Sequence, residues 1–196
     1  MKPSYQGFEA KKTSNFVELP SVGAYVAEIK AVRLLEKGEG SVQRDTIELL
    51  LDIVEGDCKG RYTEVYNDQK ERYGDSAQYK GRFRLVPPID GDEDWRKRTF
   101  EGNLWCVEQS NPGYKWDWDE KKLAGKKVGI SVRKRLYTYN DKDRETTEIG
   151  KFETVDDVRN GKCKPMNDRD NRTVGSSNST DGSGFTEVSA EVQVPW

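Results

Sequence analysis

A mainly β protein is the fold class this sequence predicts: a five-stranded Greek-key barrel, one helix between its third and fourth strands, and a disordered C-terminal tail. Three observations predict it. Short segments with apolar residues at every second position recur between Gly-rich turns, which is the pattern of half-buried strands. One segment alone changes to the helical period. Only 33% of the residues are hydrophobic while 35% are charged, so the core is small or part of the chain lies outside it.

The elements follow in order. Residues 1–18 form a polar lead-in that ends near Leu19-Pro20. Gly23–Leu35 alternates as a strand, and the Gly38–Ser41 turn reverses the chain. Arg44–Val54 is the second strand, with Ile47, Leu49, Leu51 and Ile53 facing one way. Gly56 and Gly60 frame another tight turn before Arg61–Tyr66, whose alternation predicts the third strand. Residues 67–93 are dense in charge and rings, reach Pro87-Pro88, and are expected to be an exposed excursion. In Asp94–Ser110 the apolar residues Phe100, Leu104 and Val107 fall at i, i+4 and i+7, which predicts a helix with Asp94 as its N-cap and Asn111-Pro112-Gly113 as its stop. Lys126–Asn140 is the fourth strand, with Val128, Ile130 and Val132 turned to the core. After a turn at Asp141–Arg144, Glu145–Glu153 pairs back as the fifth strand, and Val155–Asn160 forms one helical turn. From Lys164 onward Ser, Asn, Thr, Gly and Asp dominate, so residues 164–196 are expected to be disordered around a 19–163 domain.

Strand, strand, strand, helix, strand, strand is the element order of the OB-fold. An SH3-like barrel is the alternative, and it leaves the helix unexplained. The three cysteines, Cys58, Cys106 and Cys163, are widely spaced, and the chain has no histidine. A zinc site or imidazole chemistry is therefore not expected, nor is any metal or cofactor. The first residues contain no apolar signal-peptide core, and no apolar run reaches the ~20 residues of a membrane span. A cytoplasmic protein with reduced thiols is the expectation. The sequons at Asn171 and Asn178 are then chance matches.

Two basic and aromatic segments carry the chemistry. Lys70–Arg84 and Lys126–Asn140 each hold five cations. Cations that sit on phosphates beside rings that stack on bases are the chemistry of single-stranded nucleic-acid binding. The candidate contacts are Tyr66, Lys70, Arg72, Tyr73, Tyr79, Lys80, Arg82, Phe83 and Arg84 on one wall of a cleft. Arg133, Arg135, Tyr137 and Tyr139 form the other. The bland alternative is a solvated charged surface over core tyrosines. A second signal lies at the C-terminus. From Gly175 to Trp196 there are three acids, Asp181, Glu187 and Glu191, and no Lys or Arg, and the chain closes on Val194-Pro195-Trp196. An acidic linker with a short apolar tip is a tethered ligand for a groove on another protein.

That ending resembles the acidic tip of bacterial and phage single-stranded-DNA-binding proteins, with acids followed by an apolar-Pro-aromatic triplet. Here the triplet is Val-Pro-Trp and the acids are sparser. The segments LPSVGAYVAEI, SNPGYKWDWDEKKLAGKKVG and VDDVRNGK also resemble OB-fold proteins of phages and mobile elements. The resemblance implies a non-enzymatic protein that coats single-stranded DNA during phage DNA replication or recombination in a bacterial host. Glu187, Glu191, Val194, Pro195 and Trp196 would recruit partner proteins. It leaves self-association as a homo-oligomer open. A protein-interaction accessory of a recombinase or helicase is the alternative, and a metal-dependent nuclease a third. Asp90, Asp92, Asp94 and Glu101 match positions 1, 3, 5 and 12 of a calcium loop, but Trp95 occupies the position that requires glycine, which argues against calcium.

Overall fold

The computed structural model describes residues 16–39 and 42–172. Its centre is a twisted sheet with hydrogen-bonded order β3-β2-β1-β4-β5. The strands are β1 (Gly23–Leu35), β2 (Thr46–Ile53), β3 (Arg82–Leu85), β4 (Lys127–Tyr139) and β5 (Lys142–Glu153), all antiparallel to their neighbours on this path. A short β6 (Arg169–Asn171) lies parallel to Arg135–Tyr137 of β4. Among the described residues, three α-helices join the sheet: α1 (Arg61–Tyr73), α2 (Asp94–Ser110) and α3 (Val155–Arg159).

β1 pairs with β4 through its first half and with β2 through its second, and a bulge at Lys30 marks the change. Inward residues of these strands make one core. Ala27 and Ile29 meet Leu49, Leu51 and Ile53 of β2 and Val128, Ile130 and Val132 of β4. Phe100, Leu104 and Val107 of α2 close that core at the predicted helical spacing. Each large apolar side chain removed from water there contributes roughly 1.5–3 kcal/mol.

The segment Arg61–Tyr66 is a helix, not the predicted third strand. Its alternation of Tyr62, Glu64 and Tyr66 fits a strand over six residues, but Tyr62 and Val65 at i and i+3 are the buried pair. Helix formers continue to Arg72, and an Asp68–Arg72 ion pair at i, i+4 supports the last turns. The buried Asp52 carboxylate of β2 starts the helix. Its Oδ1 accepts from the Tyr62 amide at 3.1 Å and its Oδ2 from the Thr63 hydroxyl at 2.5 Å. A carboxylate at a helix N-terminus satisfies otherwise orphaned donors and favours the dipole.

The third strand is instead Arg82–Leu85, inside the expected excursion. It is laid against β2 by Leu49↔Phe83 and Leu50↔Arg82. Gly81 is required just before it: a Cβ there would stand 2.2 Å from the Leu51 carbonyl oxygen and 2.8 Å from the Tyr62 ring. Three smaller expectations are also corrected. Asp94 is the first helical residue of α2, and Glu93 holds the N-cap position without a side-chain cap bond. The turn after β4 is Asn140-Asp141, both with positive φ, and β5 begins at Lys142. The expected disorder from Lys164 onward gives way to β6 at Arg169–Asn171. The lead-in before Phe16, the tip of the Gly38–Ser41 turn and the tail beyond Arg172, with the Val194-Pro195-Trp196 ending, lie outside the described residues.

Candidate nucleic-acid interface

β4 positions the first group of side chains. Arg133, Arg135, Tyr137 and Tyr139 are two residues apart, so they project from one side of the strand. Arg133 is held by Glu148 of β5, with Nη2 at 2.9 Å and Nε at 3.0 Å from Oε1. Arg135 and Arg169 share the same carboxylate at 3.8 and 3.6 Å. Three guanidiniums on one carboxylate leave an excess of positive charge on this face. The Arg135 guanidinium lies 5.8 Å from the Tyr137 ring centroid, and that of Arg144 lies 5.7 Å from Tyr139. Tyr139 is 58% exposed.

β3 and the turn before it position the second group. Arg82 and Arg84 project from one side of β3, while Phe83 turns toward Phe152 of β5, the ring centroids 4.4 Å apart. Arg84 is bound by Glu48 at 3.1 Å, and Glu48 also reaches Arg33 at 3.8 Å. Lys80 and Arg82 have no carboxylate partner among the described residues. Partial burial lowers the pKa of Lys80, and the neighbouring Arg82 and Arg135 lower it further. Lys80 and Arg82 from one basic segment thus lie within electrostatic reach of Arg135 from the other. The Arg135 Nε is buried without a hydrogen-bond partner among the described residues.

Most of the remaining candidates have structural tasks. The Tyr79 hydroxyl donates to the Leu51 carbonyl at 2.9 Å, and burial pushes its pKa up to about 12. Its ring sits edge-on to Tyr66 at 5.8 Å, so this pair fastens α1 to the loop that leads into β3. Lys70 lies over the Tyr66 ring at 5.9 Å. Arg72 is paired with Asp68 and stacked on Phe16 at 4.1 Å. Tyr73, at the end of α1, is 58% exposed. Lys80, Arg82, Arg135 and Tyr137 are therefore the candidates the fold gathers with polar groups or a ring still available, and the exposed rings of Tyr139 and Tyr73 lie apart from them. Tyr66, Tyr79 and Phe83 are committed to packing.

The structure adds residues to the candidates. Arg169 joins the Glu148 cluster from β6. Arg44, Trp95, Arg96 and Lys151 line a pocket of about 320 Å³ beside Phe83 and Arg84. The run Trp95-Arg96-Lys97-Arg98 repeats the basic–aromatic pairing and is the sequence signal for it. Of the acids in the calcium-like stretch, Asp92 is used otherwise: it pairs with Arg44 at 2.6 Å and accepts from the Ile89 amide. No group of three or more potential metal ligands occurs among the described residues. No helix among them is long and apolar enough to cross a membrane. Compared with known protein families and with curated proteins, the chain matches none.

Proposed function

We propose that the chain is a non-enzymatic single-stranded-DNA-binding protein. The observation that carries the reading is that Lys80 and Arg82 lie within electrostatic reach of Arg135, whose guanidinium is beside the Tyr137 ring, with exposed Tyr139 two residues further along β4. Unpaired cations supply phosphate neutralisation, and half-open rings supply sequence-tolerant stacking. Carboxylates fix the neighbouring Arg84 and Arg133, which pre-organises the surface without consuming its whole charge. The fold is proposed to be an OB-type barrel. The path β3-β2-β1-β4-β5, with its two ends linked by Phe83 and Phe152, supports that reading, as does α2 lying between β3 and β4.

The resemblance of the C-terminal ending extends the proposal. The protein would act in phage DNA replication or recombination in the bacterial cytoplasm, and Glu187, Glu191, Val194, Pro195 and Trp196 would recruit partner proteins. The test is a fluorescence titration with oligo-dT at two salt concentrations. Salt-sensitive binding that prefers single strands supports the reading, and equal binding of duplex opposes it. A second reading, a protein-interaction accessory of a recombinase or helicase, is favoured by the exposed Leu34, Ile89 and Trp118 around one open groove. Absence of oligo-dT binding selects it.

A further inference from the structure

The pocket of about 320 Å³ between β3, α2 and β5 lies outside the Lys80–Arg82–Arg135 group. It has the size of a small-ligand site. Its walls are Trp95, Phe83 and Phe100, and Thr99 and Asn103 are the neutral polar groups that line it. Four cations line it, Arg44, Arg84, Arg96 and Lys151, against one acid, Asp92. Three of those cations are engaged: Arg44 with Asp92, Arg84 with Glu48, and Lys151 with Glu153 at 2.8 Å. Arg96 makes no direct ion pair among the described residues, although its charge acts on the nearby Asp92 carboxylate. Its guanidinium lies 4.7 Å from the Trp95 ring centroid instead.

Trp95 is 50% exposed although it lies in the first turn of a helix whose other aromatic wall residue, Phe100, is buried. Its indole N–H donates to the Glu93 carboxylate, which sets the ring plane. An oriented, half-open indole with a guanidinium over one face matches a flat heteroaromatic ring that carries an anion. We propose that this pocket binds a nucleobase with its phosphate: Trp95 stacks on the base and Arg96 holds the phosphate. The inference rests on the single-strand reading for its polymeric ligand. β3 connects the two places, because Arg84 lines the pocket and Arg82, two residues away and about 7 Å along the strand, belongs to the cationic group. A strand crossing Lys80 and Arg82 would thus deliver a base to Trp95.

Oligo-dT and free dTMP distinguish the two sources of this ligand chemistry. Full-length wild type, Trp95→Ala and Arg96→Ala are titrated with each, and urea midpoints check that the variants fold. Trp95→Ala is expected to weaken oligo-dT binding about tenfold. Arg96→Ala is expected to weaken it and to shallow the log–log salt dependence by about 0.7. Trp95→Phe should restore part of the affinity. Binding of dTMP that requires Trp95 supports the pocket even if oligo-dT does not bind, in which case only the single-strand reading falls. Wild-type oligo-dT binding unchanged by both substitutions overturns the pocket and leaves that reading standing. Failure of wild type to bind either probe overturns both.

Discussion

The ring of Phe83 lies 4.4 Å, centroid to centroid, from that of Phe152, which joins β3 to β5. These strands are the two ends of the hydrogen-bonded path. Side-chain packing thus brings the two end strands into contact. Phe83→Ala should cost about 2–4 kcal/mol of stability, the range for emptying a buried aromatic site that is partly open. The cost is read from urea unfolding. A value below ~1 kcal/mol would mean that the β3–β5 packing contributes little to the fold.

Asp52 is a buried carboxylate whose three acceptor bonds go to Ile53, Tyr62 and Thr63. Asp52→Ala leaves the first donors of α1 without partners and should cost about 1–3 kcal/mol. Amide exchange in Arg61–Tyr73 should quicken more than exchange in α2. Uniform quickening across both helices would assign Asp52 to global stability rather than to starting α1.

Alkaline pH should unfold the protein through its buried tyrosines. Burial pushes Tyr79 and Tyr114 up to about 12 and raises Tyr62 as well. Each folded-state value lies above the ordinary value near 10. Their contribution is therefore complete below pH ~10 and disappears as pH rises from there toward 12. Urea midpoints should stay level on the neutral side of that window and fall within it. Tyr62→Phe should weaken the decline, because a ring without a hydroxyl cannot ionise in the unfolded chain.

Most of the sheet is legible because its strands announce themselves. Gly23–Leu35 has its predicted bounds in the structure, and Val128, Ile130 and Val132 are buried as their alternation requires. α2 is equally plain from Phe100, Leu104 and Val107. Arg61–Tyr66 misleads because six residues with Tyr at alternate positions satisfy both periods, and the deciding partner, Asp52, lies on another strand. Arg82–Leu85 is hidden by its four-residue length, although Gly81 and Pro87-Pro88 bracket its alternation. At the candidate site, composition can name the cations but not their pairing. Only the register Arg133↔Glu148 and Arg84↔Glu48 separates cations held by carboxylates from Lys80 and Arg82.

That separation makes the salt dependence of oligo-dT binding the most direct test of the central claim. Wild type and Lys80→Ala/Arg82→Ala are titrated with oligo-dT at two salt concentrations. The double variant should bind more weakly, with a log–log slope shallower by ~1.4, about 0.7 for each phosphate no longer neutralised. Tyr137→Ala/Tyr139→Ala should weaken binding by roughly 1–3 kcal/mol per stacked base at an unchanged slope. Binding whose strength and salt slope are indifferent to Lys80 and Arg82 would contradict the account.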